Sequence, residues 1–244
     1  MADLAENLPV TTKTLFEPGS ISKSLNALGV LKLVEDKKLD LDTDINSYLT
    51  SWQFPYDAVS NNKKITLANL LSHTAGLGVH GFPGYFSGDD LPTIIPILNG
   101  EKPANTEAVR SQFEPGLKFQ YSGGSTMISE LILMDITHQP YDKYMSEKVL
   151  RPIGMTDSFF TQPPPDGKKK LLATGYSVEG KEVKGKYPVM PEQAAAGLWT
   201  TPTDLCRFII ELQLSLQGKS NKVLSTEMTK KMLTPFLNDS PGLG

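Results

Sequence analysis

Residues 20 to 37, SISKSLNALGVLKLVEDK, constrain the fold more than any other stretch of this chain. Ile21, Leu25, Leu28, Leu31, Leu33 and Val34 fall so densely that little of a helix built from them can face water before Lys32. So densely apolar a helix must be enclosed by other elements, so the stretch predicts a buried helix with the rest of the chain packed about it. At 244 residues with 39% hydrophobic content, the chain is long enough to supply that enclosure.

Other elements follow from capping and breaking signals. Thr66 starts a short helix in LANLLSHTAGL that runs towards Gly76. The Gly- and Pro-rich loop GLGVHGFPGYFSGDDLP comes next, long enough to form a wall or lid of a site. STMISELILMDITHQP has helical period up to Pro140, and a further helix covers 141–150. Residues 161–191 are polar and rich in Pro, Gly and Lys, with weak strand signals near LLATGYSV and KEVKGKYPV, which reads as surface with a hairpin. Thr201, Pro202 and Asp204 then give an N-cap, a first-turn proline and a box-like third position, and a last helix spans 225–233.

Composition removes several function classes. Net charge is -3, and the lysines are scattered apart from Lys168, Lys169 and Lys170, so no basic stripe offers itself to nucleic acid. The single Cys206 excludes an internal disulfide, and its setting in DLCRFII suggests a small buried apolar residue. The start, MADLAENLPVTTK, has neither a basic nor an apolar signal-peptide region, and no apolar run reaches membrane-span length. The expectation is a soluble chain, cytoplasmic as it stands, or periplasmic or secreted if a longer parent carries a signal. Asp40, Asp42 and Asp44 have calcium-loop spacing, but Ile45 stands where that loop needs glycine. His73, His80 and His138 are too dispersed for a metal site, so no metal and no cofactor is expected.

The chemistry begins inside the buried helix. Ser20 and Lys23 lie three positions apart and so project from one face, where Lys Nζ can reach Ser Oγ. A serine hydroxyl needs a base, and a lysine serves when burial lowers its pKa. The helix N-terminus also favours a developing oxyanion. Ser-x-x-Lys is nevertheless expected about once by chance in such a length. Ser60 and Lys63 have the same spacing in a polar loop with nothing to desolvate the lysine.

FEPGSISKS, LVEDKKLDLDTDINSYL, LLSHTAGL, VLRPIGMTDSFF and AAAGLWTTPTDL occur in the order found in the serine β-lactamase and penicillin-binding-protein superfamily. The chain resembles in particular its class C-like branch, which includes esterases and D-amino-acid peptidases, over about residues 14–243. The resemblance implies an α+β, β-lactamase/transpeptidase-like fold, predominantly helical here, with a helical lobe and a partial antiparallel sheet. It implies a single domain over 1–244, truncated at both ends, with a mainly helical lobe at 20–160. Residues 161–244 would be the polar connection and the helices that flank the sheet.

On that resemblance Ser20 is the acyl-enzyme nucleophile, Lys23 its activating partner and Tyr121 the proton shuttle to the leaving group. Ser122, Gly123 and Trp199 would contact substrate. Two departures stand out. Gly123 replaces the asparagine of the family's Tyr-x-Asn motif, which favours a smaller or less demanding acyl group than a lactam. The third motif, Lys- or His-x-Gly, has no match after Leu198, and His73-Thr74-Ala75-Gly76 and His80-Gly81 precede Tyr121 and do not fill that place. The expected function is a serine hydrolase of an ester or amide, whether β-lactam, D-amino-acid peptide or carboxylic ester, with room for a second chain to complete the sheet and a small-molecule ester or amide as its substrate. The alternative is a catalytically silent or incomplete binding or scaffold protein.

Overall fold

The computed structural model describes residues 1–237 and 240–244, and the apolar stretch lies at its centre. Helix α1, Ser22–Glu35, follows a 3-10 turn at Gly19–Ile21, so the α-helix proper starts two residues later than the sequence predicts. The reason is Gly19, whose φ of +55° belongs to the left-handed region open to glycine. Leu25, Ala27, Leu28, Gly29, Val30, Leu31 and Leu33 are all buried.

The other helices are α2 (Leu67–Leu71), α3 (Ile94–Asn99), α4 (Gly123–Thr137) and α5 (Tyr141–Met145), the last continuing through a π-helical turn at Ser146–Leu150. Then come α6 (Gln193–Ala196), α7 (Pro202–Leu216) and α8 (Thr226–Leu233). Helices α4, α5, α6 and α8 all touch α1. Close approach of α5 depends on Gly29, where a Cβ would lie 2.6 Å from Met145 Sδ.

The caps behave as the sequence predicts. Thr66 and Asn69 form a reciprocal capping box at α2, Thr201 Oγ1 accepts the Asp204 N–H at α7, and Ser225 Oγ accepts the Met228 N–H at α8. Asp40 and Asp44 spend their carboxylates locally: Asp40 accepts the Asp42 N–H, and Asp44 accepts the Asn46 N–H and the Tyr56 hydroxyl.

The architecture is helix-rich, as the resemblance implies. Its sheet is represented, among the described residues, by isolated bridges rather than ladders. Two of these fix the chain that leads to Ser20: Phe16 pairs with Thr200, and Leu15 with Leu172. Phe159 pairs in turn with Trp199, so three separate segments hold the entrance to α1. The predicted hairpin in 161–191 amounts to one bridge, Tyr176 to Glu182.

Cys206 corrects the expectation of burial, since it is exposed. Helix α7 turns Asp204, Phe208, Glu211 and Ser215 inward, a stripe that leaves Cys206, Ile209 and Ile210 on the opposite face. No helix among the described residues is long and apolar enough to cross a membrane.

Candidate active site

Ser20 occupies the exposed 3-10 turn at the mouth of α1, and the turn is held from below. Ser22 Oγ donates to Gly19 O at 2.6 Å and accepts the Leu198 N–H at 3.1 Å, joining the turn to the segment after α6. The backbone of Phe16 exchanges two hydrogen bonds with Thr200, at 2.8 and 2.9 Å. The serine is therefore presented by a scaffold of three chain segments rather than by its helix alone.

Lys23 is one turn further on and only 9% exposed. Its Nζ donates to Ala195 O at 2.7 Å and lies 3.2 Å from Ser20 Oγ. It also stands 5.1 Å from the centroid of the Tyr121 ring. Burial pushes its pKa below the usual lysine value, and the neighbouring Tyr121 opposes that shift in part. The ammonium has given up most of its water for one carbonyl, one hydroxyl and the face of a ring.

Tyr121 precedes Ser122, whose side chain caps α4 by accepting the Ser125 N–H and donates to Gly78 O at 2.8 Å. His73 stacks on Tyr121 with ring centroids 4.5 Å apart, and its Nδ1 accepts the Ser122 N–H at 3.2 Å. The proton of this imidazole therefore sits on Nε2. Burial first, then the positive charge of Lys23, pushes its pKa down to about 4. His80 Nδ1 donates to Tyr121 O at 2.6 Å, because a carbonyl can only accept. The two histidines that do not supply the third motif thus brace the tyrosine from two sides.

Behind Lys23 lie two buried carboxyl groups. Glu130, on α4, accepts the Ala194 N–H at 2.8 Å, and burial pushes its pKa up to about 8. Glu192, next to α6, is 0% exposed with neither carboxyl oxygen hydrogen-bonded, and burial pushes it up to about 7. The α6 turn therefore joins the backbone acceptor of Lys23 to the side chain of Glu130. Glu17, three residues before Ser20, is a further carboxyl pushed up by burial, to about 8.

The structure brings Ser20, Lys23 and Tyr121 together and places two other predicted contacts elsewhere. Trp199 is 1% exposed and packs with Leu15, Leu172, Phe159 and Tyr187, so its side chain forms a satellite core instead of lining the cleft. The Ser122 side chain is fully buried and committed to the cap and to Gly78. Gly123 is covered: a Cβ there would lie 2.7 Å from Cε2 of Phe82. Ser60 donates to Asp57 O and Lys63 pairs with Glu114 away from it, so the twin spacing builds no site. His73, Glu130 and Glu192 escape sequence reading, although Glu130 left a signal as a lone charge within the apolar run MISELILM.

The chain matches the Beta-lactamase family model over residues 1–243. Among curated proteins it is 28% identical over 204 residues to "Protein flp" of Staphylococcus aureus (strain N315), an alignment that takes in 82% of this chain and 37% of that one. It is 28% identical over 241 residues to the "Putative penicillin-binding protein PbpX" of Bacillus subtilis (strain 168), covering 98% and 54% respectively. The chain thus spans about half, or less, of the length of these relatives. Among solved structures, D-amino acid amidase from Ochrobactrum anthropi SV3 superimposes with a TM-score of 0.76 at 24% identity, covering all of this chain and 68% of the other. The octameric penicillin-binding protein homologue from Pyrococcus abyssi does so with a TM-score of 0.75 at 23% identity, covering 99% and 55%.

Proposed function

The chain belongs to the beta-lactamase family, and from that premise we propose that it is a serine hydrolase that acylates Ser20 and acts on an ester or amide. The observation that carries the reading is the convergence of three groups: Lys23 Nζ is 3.2 Å from Ser20 Oγ and 5.1 Å from the centre of the Tyr121 ring.

The chemistry follows from the surroundings of Lys23. With its pKa lowered by burial, the amine spends more time neutral and takes the proton from Ser20 as Oγ attacks the carbonyl carbon. The Ala195 carbonyl holds the amine by one of its own N–H bonds, which leaves its lone pair to face the serine. As the tetrahedral intermediate collapses, the bond to the leaving oxygen or nitrogen breaks and that atom takes a proton through Tyr121. Water then attacks the acyl-Ser20 ester by the reverse sequence, releasing the acid and restoring the serine. No step calls on a metal or cofactor.

A fluorophosphonate probe and a chromogenic carboxylic ester test this together. Peptide mapping is expected to place the phosphonyl adduct on Ser20, and Ser20→Ala is expected to abolish both labelling and ester turnover with an unchanged circular-dichroism spectrum. Well-folded protein without an adduct on Ser20 would contradict the proposal and favour a silent binding protein.

A further inference from the structure

The wall opposite Lys23 carries a residue that the mechanism does not use. Ser122 is extended, with φ -142° and ψ 117°, so the side-chain directions of residues 121 and 123 point to the same side. Tyr121 faces Lys23 on that side. The space that a side chain at 123 would fill therefore opens towards the same cleft, and the Phe82 ring fills it, its Cε2 lying 2.7 Å from where a Cβ of Gly123 would stand.

Phe82 is not there by chance of a loose loop. Residues 78–80 are stitched to 121–124 by three hydrogen bonds: Ser122 Oγ to Gly78 O, Gly124 N–H to Val79 O at 3.0 Å, and His80 Nδ1–H to Tyr121 O. Two residues beyond that seam, Phe82 is only partly buried, with its ring against Gly123 and packed on the edge of the main core. The same mouth leaves Tyr121 36% exposed and, beside Ser20, Ile21 44% exposed. Apolar and aromatic surface left in water next to a nucleophile gains by covering itself with an apolar group.

We propose that Phe82, seated in the space vacated by Gly123, is a specificity-determining residue of the Ser20 cleft, and that it selects substrates whose acyl group is an apolar chain. The inference rests on the hydrolase reading and names its substrate class: esters or amides of medium-chain or arylalkyl carboxylic acids, in preference to acetyl esters. Phe82 takes no part in bond making; it binds the chain while Ser20 attacks the carbonyl.

The test compares acylation rates of Ser20 by p-nitrophenyl hexanoate and p-nitrophenyl acetate, followed by release of p-nitrophenol, in the wild type, Phe82→Ala and Phe82→Leu. The wild type is expected to favour the hexanoate about tenfold or more, as apolar pockets do for added methylenes. Phe82→Ala should lose most of that preference, read as the ratio of hexanoate to acetate rates, and Phe82→Leu should keep most of it. Thermal unfolding of each variant shows whether it is folded, and the leucine variant preserves the test if the alanine variant is not. A wild type without chain-length preference, or a preference unchanged in Phe82→Ala, overturns the inference alone. Folded wild type in which neither the esters nor a fluorophosphonate modifies Ser20 contradicts the hydrolase reading and this inference with it.

Discussion

Ser20 is an ordinary exposed hydroxyl, and what distinguishes it is a lysine short of water 3.2 Å away. The spacing of this pair and the apolar helix that desolvates it were legible in the sequence, because both are local. The residues that surround the pair were not. His73 comes from just beyond α2 and Phe82 from a loop, and their contacts with 121–124 are made across the fold, where no local pattern shows them. Gly123 shows how such a contact constrains a residue. Gly123→Asn must displace the Phe82 ring, so it should destabilise the protein by about 1–3 kcal/mol, the usual cost of overpacking. Adding Phe82→Ala should recover most of that loss. Chemical denaturation of the two single variants and the double variant measures the coupling; independent, additive effects would show that Phe82 does not occupy the space.

At the scale of elements, helix ends were the easiest feature to read and tertiary anchors the hardest. Thr201 and Pro202 announced α7 in sequence, and the cap is formed. Asp204 was legible only as the third residue of that cap, yet its buried carboxylate also accepts the N–H groups of Asp157 and Ser158, the Ser158 hydroxyl and Arg207 Nη1. It fastens α7 to the segment leading into Phe159, which pairs with Trp199 and so supports the segment that bridges to Phe16. Asp204→Ala leaves the donors of Asp157 and Ser158 without their acceptor, while the 44% exposed Arg207 can turn to water, and should cost about 1–3 kcal/mol. Asp204→Asn should cost less, since the amide oxygen still accepts. Equal stability of the alanine variant and the wild type in urea titration would refute the anchoring role. The exposure of Cys206 has the same origin: the local run DLCRFII sets four apolar side chains and a cysteine among Asp204 and Arg207 without marking an inner side, and only the packing of α7 decides which side faces in.

For the whole molecule, the enclosure of α1 was legible because no amphipathic alternative exists for so apolar a helix. The identity of the buried carboxyl groups around it was not, because burial is a property of the assembled fold. Glu192 and Glu130 are neutral in the folded protein at pH values where the unfolded chain ionises them, with folded pKa values of about 7 and about 8. Between the ordinary glutamate value and these, the native state binds more protons, so stability falls as pH rises. The contribution is complete below the unfolded value of 4.5 and is lost as pH passes through about 7 and then about 8. Glu17, also about 8, adds to the same slope. The groups that face this pair, Tyr141 beside Glu130 and Tyr85 beside Glu192, are themselves held protonated by burial and do not reverse the sign. His73, whose folded pKa of about 4 lies below its ordinary 6.5, contributes an opposing slope up to about pH 6.5, so the clear drop in melting temperature is expected from pH 6.5 to pH 8. Glu192→Gln should flatten the slope and stabilise the protein more at pH 8 than at pH 5. A melting temperature that rises over this range, or a Gln variant with the wild-type slope, would contradict the account.

All of the proposed chemistry depends on Lys23 acting as a base because it is buried. The measurement that tests this most directly is the pH dependence of Ser20 acylation by a p-nitrophenyl ester in the wild type and in Lys23→Arg. The wild-type rate should rise with pH to a plateau whose midpoint lies below the ordinary lysine value of 10.5. Lys23→Arg keeps the positive charge but not the base, and should be slower by about 10²–10⁴-fold at the plateau. Acylation of Ser20 at the wild-type rate in Lys23→Arg would contradict the account.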